Sequence, residues 1–427
     1  MPYPLLAFAL LAAGCIDATG EHTVERPPQH ARVAVDLEGK PGVVVTWNEL
    51  AYDIAYAEDQ FRTFKGQRAL AMMNLAMHDA LNSIEAKYDR YAYRGPRRDA
   101  DPKLAAAQSA YAVLVSLYPA ATLRLDSVLA NQRSVTPANA LGAAAIELGL
   151  AAADAVLRMR QNDGWNHPGT YAFTTGTGHY ATTPDWQGFV LQPGFSEATP
   201  FALRAPNAFR PPPPPPLQSI AYARAYDEVK NYGALNSAVR TTDQTAYAIW
   251  WLEFAEGSIN RLTRRLVIER SVGLWPAARL FAQLHMALYD GYIATWDAKF
   301  TYRHWRPFTA IRWPDDGNAA TQADANWQSL QPAPPFPEYV SAHATACAAS
   351  FTVLSALWKG APFSMTTITA PPEMPERSFV SFRAAAEECA DSRVRLGWHF
   401  RYATDEGLRL GERVANHVLQ TQLRARS

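Results

Sequence analysis

Three short segments in the last third of the 427-residue chain gather cations and imidazoles at spacings that suit the binding of an oxyanion. In the first, Lys299 and Arg306 stand seven residues apart and Pro307 follows. In an unbroken helix that is two turns, which would point both cations from one face, about 10 Å apart along the axis. Pro307 disfavours helix at Arg306, so the guanidinium is expected near a helix end, where it can turn inward. In the second segment, prolines keep the chain extended until Ser341, an N-cap residue type, opens a helix. The free amides of Ala342 and His343 at that helix start favour an anion. In the third, Arg393 and His399 are six apart, and Gly397 between them offers a break that could swing the imidazole round. Each segment also has a plain reading: a solvated basic face, a simple Ser cap, a packed core histidine.

Taken together, the three segments resemble the signature of the vanadium-dependent haloperoxidases and the related type-two phosphatidic-acid phosphatases and bacterial acid phosphatases. That signature runs K-x6-R-P, P-S-G-H and S-R-x5-H. Here the first and third elements are complete, from Lys299 to Pro307 and from Ser392 to His399, and the second reads Ser341-Ala342-His343. The likeness extends over roughly residues 45–425. It implies that Lys299, Arg306, Ser341, Ala342, His343 and Arg393 form an oxyanion cage. His399 would then be the axial ligand to vanadium, or the phosphorylated nucleophile of a phosphatase. It also places Glu256 where chloroperoxidases hold an acidic residue against the cage arginine. Trp296 and Phe336 fall where chloroperoxidases carry Trp and Phe, and algal bromoperoxidases Arg and His. For both aromatics, core packing is the competing reading.

The chemistry of these residue types agrees. Three fixed cations match a tetrahedral oxyanion, and arginine presents a fork suited to its oxygens. One neutral imidazole can supply a single bond to the central atom while the other moves protons. The resemblance therefore implies oxidation of halide by hydrogen peroxide at a histidine-bound vanadate, giving hypohalous acid or a halogenated small organic acceptor. In that scheme Lys299 polarises bound peroxide and His343 handles protons. The alternatives are a phosphomonoesterase using His399 as nucleophile, and a noncatalytic lipoprotein that only binds phosphate. Two departures bear on the choice. Ala342 replaces the usual Gly, which is harmless if the backbone there needs no positive φ. The phosphatase pattern asks for an Asp four residues after the last His, where this chain has Ala403, so His399 lacks the expected orienting partner.

Two of the three cysteines flank this signature. Cys347 lies four residues after His343 and Cys389 four before Arg393, each about one helical turn away. If both helices converge on the anion, the sulfurs can meet behind it as a disulfide; the alternative is two buried thiols packed as small hydrophobes.

The elements that must position these groups are helices. Residues 66–86 place apolar side chains at i, i+3, i+4 and i+7 without internal Pro or Gly, and stretches near 103–118, 136–160, 218–232, 240–256, 259–270, 275–305, 342–357, 378–396 and 403–425 do likewise. Period-two alternation is scarce, so the expected fold is all-α; the resemblance implies two helical bundles of the haloperoxidase and acid-phosphatase kind. The first spans 41–210 and ends in a long Gly/Pro/aromatic loop. A stiff polyproline connector follows at 211–217, and 218–427 carries the site. Arg68 to Asp79 aligns with Arg279 to Asp290, a hint of duplication. Lys and Arg total 40, as do Asp and Glu, and this balance argues against a nucleic-acid partner. No apolar run suggests a membrane span. Residues 4–14 are apolar and precede Cys15, which reads as an export signal with a possible lipid anchor at Cys15, placing the protein in the periplasm or at the cell envelope.

Overall fold

The computed structural model describes residues 42–369 and 376–426; the expectations for the leader and Cys15 lie outside the described residues. Thirteen α-helices and a single two-stranded hairpin occupy those residues, so the all-α reading holds. Ahead of the proline run come α1 (Gly42–Asp59), α2 (Lys65–Ile84), α3 (Pro102–Leu117), α4 (Thr122–Ser134) and α5 (Ala140–Met159). After it come α6 (Ile220–Tyr232), α7 (Thr242–Trp250), α8 (Ala255–Glu269), α9 (Leu274–Tyr302) and α10 (Pro307–Arg312). The chain closes with α11 (Ala342–Leu357), the antiparallel hairpin of β1 (Phe363–Thr366) and β2 (Glu376–Phe379), α12 (Phe382–Arg395) and α13 (Arg401–Thr421).

The axis of the fold is α9, buried almost continuously from Ala277 to Lys299. Its sides pack on α2, α11 and α13, and a shared apolar core joins the helices on either side of the proline run. Helices α11 and α13 pack on each other as well, and glycine makes their approach possible. A Cβ at Gly411 would sit 2.3 Å from the Thr345 carbonyl, and one at Gly407 would sit 2.7 Å from that of Ser341. The connector is pinned as well: Tyr302 donates to the Pro211 carbonyl and Tyr339 to that of Pro212. Helix α5 alone among the described helices is long and apolar enough to cross a membrane. It packs instead on α2 and α3, while Glu147 and Asp154 on its other face pair with Arg98 and Arg158.

The aligned aspartates perform the same task in the two halves. Asp79 accepts from the amides of Tyr91, Ala92 and Tyr93, and Asp290 from those of Phe201, Ala202 and Leu203. Each buried carboxylate thus folds a three-residue stretch of loop against its helix, satisfying amides that would otherwise be stranded in the core. The arginines of the alignment are less alike. Arg68 reaches Asp163, whereas Arg279 reaches the Leu423 carbonyl.

Two expected helices are interrupted. The stretch 240–256 breaks after Trp250, because Trp250 and Trp251 are both driven into the core and the chain turns before α8. The stretch 275–305 ends at Tyr302, where Arg303 takes a left-handed conformation (φ 49°). Lys299 and Arg306 therefore do not share one helical face two turns apart; a turn brings them together by another route. Helices α1, α4 and α10 and the hairpin had no counterpart among the expected elements.

Candidate active site

Lys299 leaves the last turn of α9 fully buried, and its ammonium donates to the carbonyls of Pro337, Glu338 and Val340 at 2.8, 3.0 and 2.6 Å. All three of its N–H groups thus hold the loop that leads into α11. Arg306, extended as Pro307 requires, caps α10 and turns inward. Its guanidinium donates to the Phe336 carbonyl (3.0 Å), the Trp398 carbonyl (2.9 Å) and Nε2 of His399 (3.1 Å). The Phe336 ring lies 4.9 Å from both the Lys299 nitrogen and the Arg306 carbon, with the Trp296 ring 5.0 Å from it. These aromatics form an apolar wall beside the cations.

Ser341 sits where an N-cap was expected, its hydroxyl accepting from Ala344 N. Its own amide donates to the Ala403 carbonyl. Ala342 is the first residue of α11 and helical, so the missing glycine imposes no strain. The amides of Ala342 and His343 head that helix, ahead of its first backbone bond from Thr345 N to Ser341 O. Gly397 makes the break after α12 with φ 79°, and no side chain could replace its hydrogen: a Cβ would meet the Gly233 carbonyl at 2.6 Å. The turn carries His399 back towards Arg306. Arg393, buried on α12, donates to the Trp251 carbonyl at 2.6 Å and to Ser392 Oγ at 3.0 Å, its guanidinium over the Trp398 ring. That use of the Trp251 carbonyl fixes the turn between α7 and α8.

Burial and mutual charge shift the titrating groups gathered here. His399 is held well below the ordinary imidazole range, first by burial and then by Arg306, Lys299, Arg393 and His343 together. His343 is pushed down as well, by burial and by Arg393. Both rings are therefore neutral. Burial also lowers Lys299 far below its usual range, Arg306 to about 10 and Arg393 to about 9. Among the described residues none of these three cations forms an ion pair with a carboxylate, and Arg306 Nη2 and His343 Nε2 have no hydrogen-bond partner. Glu338 is the one carboxyl that acts on Lys299 and Arg306, so positive groups outnumber it in this buried cluster, an arrangement that favours an anion.

Two features differ from expectation. Glu256 is fully buried at the start of α8, but it faces Tyr292 and Gln67 and stands against no arginine. One turn of intervening chain separates α8 from the Arg393 contact at Trp251, so the carboxylate enters the core elsewhere. Glu338, by contrast, was not singled out. Its Oε1 accepts from His399 Nδ1 at 2.9 Å and from Phe400 N at 3.0 Å. The Nδ1 proton is thereby committed to Glu338, which leaves Nε2 unprotonated, its lone pair accepting from Arg306 Nη1. His399 has an orienting carboxylate after all, three residues before Ser341 and not at Ala403.

The two cysteines meet in a disulfide, Cys347–Cys389, with Cα atoms 6.6 Å apart, so α11 and α12 are covalently joined behind the cage. Their sulfurs and a His343 nitrogen lie within 4.8 Å of one another, but joined sulfurs offer no thiolate to a metal. His78 and His285 are core residues, the first beside Asp79 and the second between Asn48 and Asn260.

Residues 279–426 match the VCPO second helical-bundle domain, a span that takes in Lys299, Arg306, Ser341, Ala342, His343, Arg393 and His399. A vanadium chloroperoxidase of Curvularia inaequalis is 31% identical over a 181-residue alignment taking in 34% of this chain and 29% of that protein. The chain thus resembles the vanadium haloperoxidase family over its last third. Its match thus spans about three-tenths of the length of that curated relative. The fold extends further than the sequence likeness. A bacterial vanadium-dependent iodoperoxidase superimposes with a TM-score of 0.75 at 21% identity, covering 92% of this chain and 98% of the other. An apo bacterial vanadium-dependent chloroperoxidase gives 0.67 at 18% identity, covering 84% and 92%. Both bundles of the haloperoxidase fold are thus represented here.

Proposed function

We propose that this site holds vanadate and that the protein oxidises a halide with hydrogen peroxide, releasing hypohalous acid or halogenating a small organic acceptor. The observation that carries this reading is the unprotonated Nε2 of His399, accepting from Arg306, backed by Glu338 and set among three buried basic side chains, in a bundle similar to that of the haloperoxidases. The donor set suits vanadate: one neutral nitrogen for the metal, guanidinium and helix-start amides for its oxygens. When bound, vanadate supplies a Lewis-acidic centre that activates peroxide toward halide. Arg306 and Arg393 neutralise oxygens of the anion, and Ser341 with the amides of Ala342 and His343 closes the cage from the start of α11. Arg306 Nη1 now donates to His399 Nε2, so ligation asks it to move that bond to an oxygen. Lys299 likewise must exchange a carbonyl for an oxygen if it is to touch the anion, and otherwise acts by its charge. Nε2 of His343, buried without a partner, is placed to take the proton that peroxide sheds. Trp296 and Phe336 keep one side dry, which strengthens every charge interaction within. The disulfide supports work in an oxidising compartment, consistent with an exported protein.

A second reading is favoured by Glu338. The carboxylate a phosphatase wants behind its nucleophile is present, so the lack of Asp at position 403 does not argue against a phosphomonoesterase using His399. One assay separates the readings. The apoprotein, supplied with peroxide and bromide, should brominate an organic acceptor only when vanadate is added. Turnover of p-nitrophenyl phosphate blocked by vanadate, without bromination, selects the phosphatase. Neither activity leaves a phosphate-binding protein.

A further inference from the structure

We propose that Glu338 is the positioning residue that makes His399 a ligand, by holding its proton on Nδ1 and presenting Nε2 to the anion. The inference rests on the oxyanion reading of the site but adds a residue to it. Four observations carry it. Glu338 is fully buried, and its Oε1 takes both the His399 ring proton at 2.9 Å and the amide of the next residue, Phe400, at 3.0 Å. The same oxygen therefore fixes the ring's orientation and the backbone that carries it. Glu338 is itself fixed at both ends of its peptide, its amide on the His304 carbonyl and its carbonyl on Lys299. Finally, position 403 is an alanine whose carbonyl is occupied by Ser341 N, so no side chain from α13 can perform this task there.

The physical consequence is specific. A neutral imidazole free in solution carries its proton on either nitrogen. A carboxylate at Nδ1 selects one tautomer and raises the electron density at Nε2, as outer partners of ligating histidines do in general. Glu338 comes from the loop before α11, the loop that also leads to Ser341 and His343. Ligand orientation and the oxyanion pocket are thus built from one stretch of chain, clamped by Lys299.

Two measurements on the full chain test this without relying on turnover. In wild-type protein with 15N-labelled histidine, the His399 ring nitrogens should report Nδ1–H and bare Nε2; a proton found on Nε2 overturns the proposal. Calorimetric titrations then compare vanadate, which can bond His399, with inorganic phosphate, which reads the charge of the cage. Glu338→Leu should weaken vanadate about 10–100-fold and leave phosphate within about threefold, since no cage cation is removed. Glu338→Gln, which keeps a neutral acceptor, should recover part of the vanadate affinity. Equal loss for both anions would make Glu338 a structural residue only, and an unchanged vanadate affinity would remove it from the site; either contradicts the proposal. Wild-type protein that binds vanadate with these dependences yet brominates nothing would fail the proposed function and leave the positioning role intact.

Discussion

Replacing His399 with alanine is expected to abolish vanadate-dependent bromination, to below about a thousandth of the wild-type rate, because the site loses its one covalent link, worth several kcal/mol. The loss should be selective. Arg306, Arg393 and Lys299 stay in place, so weak binding of phosphate should persist, and its persistence shows that the cage is still assembled. The Glu338 carboxylate loses a donor in this variant and keeps Phe400 N, so some loss of stability accompanies the loss of activity. Retention of more than about a tenth of the peroxidase rate would mean that His399 is not the ligand.

The second large effect concerns stability. The Cys347–Cys389 bond closes a loop of 42 residues, for which the chain-entropy relation gives about 4 kcal/mol. Replacing both cysteines with serine should lower Tm by about 5 °C, given an unfolding entropy near 2.1 cal/mol/K per residue for a chain of this size. The bond joins the helix that begins at Ser341 to the helix that ends at Arg393, so the variant should also bind phosphate less tightly. Scanning calorimetry and a phosphate titration on the double variant check both. An unchanged Tm, or two free thiols on alkylating the unfolded unreduced protein, would deny the bridge.

Much of this site could be read from local chemistry. The prolines at 334, 335 and 337 followed by Ser341 mark the start of α11 to the residue, because extension and capping are both local. Gly397 marks the break that returns His399, because only glycine tolerates φ 79° against the Gly233 carbonyl. The spacing of the cysteines left a disulfide and two packed thiols both open, and the structure joins them. What escaped the sequence depends on distance along the chain. Glu338 lies within the segment that drew attention, yet its partner is 61 residues away, and no spacing rule connects a loop carboxylate to a distant ring. Glu256 failed for the converse reason: its position in a motif did not fix the direction in which α8 would aim it, and it meets Tyr292 and Gln67. The three carbonyl partners of Lys299 were beyond local reading too, since they come from a loop about 40 residues downstream, folded back on α9. The hairpin is only four residues a strand, too short to show alternation.

The most direct measurement is the crystal structure of the protein loaded with vanadate, with the metal located by its anomalous scattering. The account predicts a single peak bonded to Nε2 of His399, with oxygens facing Arg306, Arg393 and the amides at the start of α11, and Glu338 still on Nδ1. A peak placed elsewhere, or a cage that stays empty at saturating vanadate, would contradict it.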